Sequence, residues 1–267
     1  MSTLSWLSRT TLLIGDEKLQ KLQNAHVLIV GLGGVGSFAA EFIVRAGIGR
    51  LTIVDGDIVD NTNRNRQLPA LFTTIGQHKV DIVAERLLAI NPSLKLTAIN
   101  SFLSPEKAEE ILNANQFDYV MDCIDSITPK LTLLQTAYQK GLKIISSMGA
   151  GGKFDPTKLC YADIFDTKQC YLAKTVRKRL RALGIITGIN VVYSTEEVKL
   201  DSLMLTDGSN FKRSAYGTIS YLPATFGSVC ASVVIRELIG ELIPELQHSN
   251  RKKEMIKKTV EKRRLRK

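Results

Sequence analysis

Cysteine is scarce in this 267-residue chain: four residues, at 123, 160, 170 and 230, with no C-x-x-C pair and no spacing typical of a structural zinc site. That excludes a disulfide-stapled miniprotein and predicts reduced thiols. The first fifteen residues, MSTLSWLSRTTLLIG, lack a cationic stretch followed by a sustained apolar core and a small-residue cleavage site. The expected location is therefore the cytoplasm. Long apolar runs are missing as well, with one stretch that tempts: 22 uncharged residues lie between Arg213 and Arg236. Gly217, Pro223 and Gly227, with several Ser and Thr, divide it into a polar-leaning loop and a shorter apolar helix near 226–240. The expectation is a buried core helix without membrane association. Internal repeats and low-complexity linkers are absent, so a second independent domain is not required.

What is present is enough apolar sequence, 44% of the chain, to bury a sizeable core. The net charge is +10, and its distribution says more than its sum. Residues 251–267 carry ten Lys or Arg against two Glu, and 168–184 carry six basic residues and no acid. Either run alone is equally well a solvated face. Two separated runs favour a polyanionic partner, with Lys174, Arg177, Lys178, Arg179 and Arg181 as candidate nucleic-acid contacts.

Short apolar strands alternate with helical segments through the first half: an arm or helix to residue 24, a strand at 26–30, a glycine turn at 31–36, a helix to about 46 and a strand at 50–54. Helix, Pro-marked turn and strand follow, then a helix at 104–114, a strand in FDYVMDCID, a helix in TPKLTLLQTAYQKG and a strand in LKIISSMGA. The pattern predicts an α/β fold with a mostly parallel sheet covered by helices on both faces. Residues 1–150 form the Rossmann-like portion that binds the nucleotide, 151–250 complete the same unit on the substrate side, and 251–267 are a basic tail. In the second portion YADIFD and INVVYSTEE read as strands around a basic helix at 171–183, and DSLMLTDGSNFKRSAYGTI reads as a surface loop.

VLIVGLGGVGS places a glycine turn between strand and helix. Gly31 permits a tight strand exit, Gly33 close ligand approach and Gly36 close packing of helix on strand, while the helix N-terminus offers N–H groups to phosphate. Asp55, 19 residues beyond Gly36, can accept from a ribose. An acid there disfavours NADP and fits NAD, FAD or an adenosine nucleotide. VDGDIVDNTNRNRQL then packs Asp57, Asn63, Arg64, Arg66 and Gln67 into one polar run, with Lys79 beyond it. Arginine pairs bidentately with phosphate. Asp125, after the strand in VMDCIDS, is of the type that holds magnesium. Each residue could instead cap a loop or close an ion pair.

These stretches, in this order, resemble the E1-like adenylating superfamily, in SRTTLLIG, VLIVGLGGVGS, LTIVDGDIVDNTNRNRQ, GQHKV and DYVMDCIDS. The resemblance implies an E1-like adenylation domain that binds ATP and Mg2+. It implies that Gly31, Gly33, Gly34 and Gly36 contact the nucleotide, that Asp55 holds its ribose, and that Asn63, Arg66 and Lys79 surround its phosphates. Asp57 and Asp125 fall at acidic positions near ATP and magnesium, Asp125 being the metal candidate. Arg9 matches an arginine that crosses a dimer interface into the partner's site, which implies a homodimer. Arg9, Asn63, Arg66, Lys79 and Asp125 are thus the candidate catalytic set.

The paired C-x-x-C zinc motifs common among sulfur-carrier activators are absent, and Cys160 and Cys170 read as inert thiols. The later segment GAGGKFDPTKLCYADIFDTKQCYLAKTVRKRLRALGI, with INVVYSTE, is similar to a branch acting on tRNA. That similarity implies ATP-dependent dehydration of threonylcarbamoyladenosine at position 37, and it suggests a cysteine-desulfurase sulfur-acceptor protein as a partner. Adenylation of a ubiquitin-like sulfur carrier and a nucleotide-regulated RNA-binding module are the alternatives.

Overall fold

The computed structural model describes residues 5–205 and 214–241. Two short helices, α1 (Ser8–Ile14) and α2 (Asp16–Asn24), lead into β1 (His26–Val30). The chain then alternates through α3 (Gly36–Arg45), β2 (Arg50–Val54), α4 (Lys79–Ile90), β3 (Lys95–Ile99), α5 (Pro105–Ala114), β4 (Tyr119–Asp122), α6 (Ile127–Gln139) and β5 (Ile144–Ser147). It continues with β6 (Leu159–Asp163), α7 (Tyr171–Ala182), β7 (Asn190–Ser194), the short strands β8 (Leu203–Leu205) and β9 (Ser214–Tyr216), and α8 (Tyr221–Leu238).

Seven strands make one sheet in the order β3-β2-β1-β4-β5-β7-β6, parallel throughout except for β6, which runs against β7 at one edge. Every residue of β1 is buried. Alternate residues serve opposite faces, as the pleat requires. Val27 and Ile29 join a core with α2, α3, α4 and α8, whereas Leu28 and Val30 join one with α5, α6 and α7. The doubly covered α/β sheet is as expected from the sequence.

Two local expectations change. The apolar helix begins at Tyr221, not near 226, because Pro223 sits in its first turn, where no intrahelical N–H is needed. Gly227 lies inside it and marks a close approach: a Cβ there would stand 2.5 Å from the carbonyl oxygen of Val35. The segment read as a surface loop contains the antiparallel β8–β9 pair, and residues 206–213 between the strands lie outside the described residues, as does the basic tail 251–267. Among the described residues no helix is long and apolar enough to cross a membrane.

Candidate nucleotide-binding site

β1 has β2 on one side and β4 on the other, and the chain leaves the sheet in opposite directions from this pair. A crevice beyond the carboxyl ends of such strands is where open α/β sheets bind ligands. The glycine turn occupies it. Gly31 adopts φ +90°, and a Cβ there would meet the Cys123 carbonyl oxygen at 2.9 Å. A Cβ on Gly36 would fall 1.8 Å from the Gly31 carbonyl oxygen. Gly34 packs against Pro223 and the backbone of Arg66, whereas the nearest atom to a Cβ on Gly33 would be Gln67 Nε2 at 3.8 Å. Protein packing thus demands glycine at 31, 34 and 36. At Gly33 the demand would have to come from a ligand.

Asp55, at the exit of β2, fixes this turn. Its Oδ2 accepts from the Leu32 N–H at 2.6 Å and its Oδ1 from the Asp57 N–H at 2.7 Å. Burial raises the carboxyl's pKa, and the backbone donors with the charge of Lys79 pull it back. Each oxygen retains a second lone pair for a ligand hydroxyl.

The polar run folds over the same opening. Lys79, buried as the first residue of α4, pairs with Asp57 at 3.0 Å. Asn63 is buried and closes a capping box with Asp60, so part of its role is local. Arg66 donates from Nη1 to the Thr62 carbonyl at 3.0 Å and to Asn65 Oδ1 at 2.9 Å. Burial lowers the guanidinium pKa, while the negative charge of Asp125 opposes that shift, so the two side chains share one electrostatic neighbourhood. Gln67 Oε1 is buried without a hydrogen-bond partner, an unsatisfied group of the kind a bound ligand completes. Arg64 lies over the Phe72 ring at 5.5 Å, outside this cluster of contacts.

Asp125 is exposed on the loop after β4, and that loop rests on a network the sequence did not reveal. Lys130 is fully buried, donates to Asp122 Oδ2 at 2.5 Å, and also reaches Ser146 Oγ at 3.1 Å and the Ser147 carbonyl at 3.0 Å. Asp122 Oδ1 in turn accepts from the Ile124 N–H at 3.1 Å. The available signal was a lysine in the otherwise apolar run PKLTLL.

The remaining candidates are dispersed. Arg9 is exposed on α1, beside Leu12 and Leu13, which are 87% and 85% exposed. On α7, Lys174, Lys178, Arg179 and Arg181 face outward, and Arg181 also lies over the Phe165 ring at 5.3 Å. Arg177 differs from the others because its Nη1 donates to the Thr167 carbonyl at 2.6 Å and to the Ile164 carbonyl at 3.3 Å, tying α7 to the turn before it. All four cysteines are unpaired. Burial pushes the Cys123 thiol up to about 12 and Cys230 well above its usual value, while Cys170 is buried as the N-cap of α7. Cys160 is half-buried, with its thiol toward the Lys158 carbonyl.

The model of the ThiF family matches residues 7–267. The tRNA threonylcarbamoyladenosine dehydratase of Bacillus subtilis (strain 168) is 37% identical over 255 residues, covering 90% of this chain and 96% of that protein. The same-named protein of Escherichia coli (strain K12) is 34% identical over 257 residues, covering 89% and 96%. The crystal structure of the E. coli tRNA N6-threonylcarbamoyladenosine dehydratase superposes with a TM-score of 0.80 at 33% identity, over 88% of this chain and 94% of that one. The E. coli enzyme has also been solved in complex with ATP and with AMP.

Proposed function

The chain belongs to the ThiF family, and from its likeness to tRNA threonylcarbamoyladenosine dehydratases over 90% of its length we infer its reaction: ATP-dependent dehydration of N6-threonylcarbamoyladenosine in tRNA. The observation that carries this reading is that the likeness to dehydratases runs through the substrate-side half as well as the glycine turn. The enzyme closes the threonylcarbamoyl side chain into a ring with net loss of water.

A free carboxylate is a poor acyl electrophile, because its leaving group would be oxide. ATP, consumed as a substrate, converts that oxygen into part of a mixed anhydride with AMP as its leaving group and releases pyrophosphate. The carbamoyl oxygen of the same side chain then attacks the activated carbonyl carbon. The C–O bond to AMP breaks, and the carbamoyl N–H loses its proton. Intramolecular attack benefits from effective concentrations of roughly 10⁵–10⁸ M, so an enzyme thioester is unnecessary.

We assign the nucleotide to Gly31, Gly33, Gly34, Gly36 and Asp55, and its phosphates to Asn63, Arg66 and Lys79. In that assignment the Lys79 ammonium passes from Asp57 to a phosphate oxygen, and Arg66 offsets charge as pyrophosphate departs. Mg2+ keeps most of its shell as water and phosphate oxygen and needs only one or two carboxylates. Asp125 fits that requirement, and among the described residues no cluster of three or more His, Cys, Asp or Glu forms a cage of its own. When bound, the ion neutralises phosphate charge. The exposed basic residues of α7 would hold tRNA phosphates, setting position more than sequence. Reduced thiols suit a cytoplasmic reaction.

The test is mass spectrometry of threonylcarbamoylated tRNA incubated with the protein, ATP and magnesium. We expect the modified nucleoside to lose one water, with AMP and pyrophosphate released. Arg66→Ala should slow this by about 100-fold or more, as loss of an electrostatic donor does elsewhere. Failure of the wild-type protein on verified substrate would redirect the reading to a sulfur-carrier protein or to RNA binding alone.

The exposure of Leu12 and Leu13 beside Arg9 supports a homodimer in which α1 is covered by a second copy. Leu12→Glu with Leu13→Glu should shift the mass measured by light scattering from dimer to monomer. It should lower activity together with Arg9→Ala, which leaves the dimer intact. A wild-type protein that runs as a monomer at assay concentration would sink this part.

A further inference from the structure

Beside the nucleotide turn, an apolar ring is held out to solvent by more contacts than its own packing explains. Phe154 follows the turn after β5 and is 45% exposed. Its N–H donates to both oxygens of Glu196, at 3.0 and 2.9 Å, and the next N–H, of Asp155, donates to Glu196 Oε2 at 2.7 Å. Its carbonyl accepts from the Tyr221 hydroxyl at 2.9 Å. Lys199 Nζ stands 4.3 Å from the ring centroid. The preceding residue, Lys153, is buried and drives its ammonium into the Ser194 and Glu196 carbonyls at 2.9 and 2.8 Å. Gly152 is stapled to both neighbouring segments, through its N–H to Gly217 O at 2.8 Å and its carbonyl to Lys199 N at 2.9 Å.

Such anchoring fixes the backbone on either side of the ring while leaving the ring itself accessible. Rigidity at an exposed aromatic lowers the entropy lost when something flat settles on it. Two links tie the platform to the nucleotide site. Tyr221 opens α8, whose Pro223 packs on Gly34, and the Thr218 carbonyl just before it accepts from Asn65, the neighbour of Arg66, at 2.9 Å. Lys199 covers one face of the ring, the Glu196 carboxylate is taken up by the two backbone N–H groups, and basic α7 begins close to the same loop through Leu172, 3.9 Å from a Cβ on Gly149.

We propose that Phe154 is a stacking platform for an unpaired base of the RNA substrate, a nucleotide flanking the one that reacts, with Lys199 paired to the adjoining phosphate. A base would take the ring face opposite Lys199. Bases of single-stranded loops are bound in this way, on aromatic faces next to basic side chains, and such stacks tolerate any base. A protein partner fits the local chemistry less well, since the ring is single and its neighbour is a cation. This inference rests on the tRNA reading above. Phe154 would be a residue that binds and positions the substrate without touching the reacting carboxylate.

The experiment measures steady-state kinetics with threonylcarbamoylated tRNA and ATP varied separately. Wild-type turnover comes first, because its absence sinks the tRNA reading itself and not the platform. With turnover present, Phe154→Leu is expected to raise KM for tRNA by between about 5- and 150-fold, the range for loss of one stacked base, with KM for ATP and the melting temperature unchanged. Phe154→Tyr should stay near wild type, because it keeps the ring. Lys199→Met should raise KM for tRNA by a smaller factor. Phe154→Trp adds a fluorophore whose emission should be quenched when an anticodon stem-loop is titrated in. An unchanged KM for tRNA in Phe154→Leu, as a protein-docking role would give, overturns the proposal. So does equal impairment of Phe154→Leu and Phe154→Tyr, or an unquenched tryptophan.

Discussion

Replacing Gly36 with alanine is expected to abolish ATP-dependent turnover, lowering kcat/KM by about 100-fold or more, and to lower the melting temperature as well. The new Cβ would lie 1.8 Å from the Gly31 carbonyl oxygen, 2.9 Å from its carbon and 3.0 Å from Cys123 Cβ. None of these is the far end of a movable side chain, so the glycine turn itself must open. Displacements near 1 Å in a substrate-positioning element cost on the order of 100-fold. Gly33→Ala makes the informative contrast. Its Cβ would have no protein atom nearer than 3.8 Å, so the fold should keep its stability while nucleotide binding, followed by titration calorimetry, is lost. If Gly33→Ala binds ATP as the wild type does, the phosphates do not pass over that residue.

The second large effect falls on Lys130. Its ammonium and the Asp122 carboxylate are both fully buried, and Lys130→Met strands the carboxylate without a counter-charge. Breaking such a pair from one side costs about 3–5 kcal/mol, which for a chain of this length lowers Tm by about 5–9 °C. Asp122→Leu combined with Lys130→Met should recover most of that loss, because no charge is left inside, while the acceptor for the Ile124 N–H is removed. The double variant then isolates the second duty of the pair. Asp122 holds the Ile124 N–H and, with it, the loop that presents Asp125. If this orientation matters, the stable double variant remains slow with unaltered tRNA affinity. Full activity would mean the pair serves stability alone.

The parts legible in the sequence are those governed by neighbours along the chain. The glycine turn, its strand and its helix lie within twenty residues, and their apolar runs have the lengths that a doubly covered parallel sheet needs. Partners distant in sequence stay hidden. Lys153 looks like an ordinary surface lysine until the fold brings to it the carbonyl of Ser194, 41 residues away. Pro223 and Gly227 read as breakers because propensity is local, yet one sits where a helix tolerates proline and the other where α3 leaves no room for a side chain. Arg177 was grouped with its basic neighbours by composition. Its carbonyl acceptors on the preceding turn set it apart.

The packing of α8 on the glycine turn bears on how this protein could be cut and recombined. Pro223 and Gly227 press on Gly34 and on the Val35 carbonyl from a helix nearly two hundred residues downstream. A fragment ending near residue 150 would contain every residue of the glycine motif but would lack the wall on which the turn leans. The motif-bearing half is therefore a poor graft for a chimera. Exchange between relatives should keep α3 and α8 from the same parent, even when everything between them is swapped.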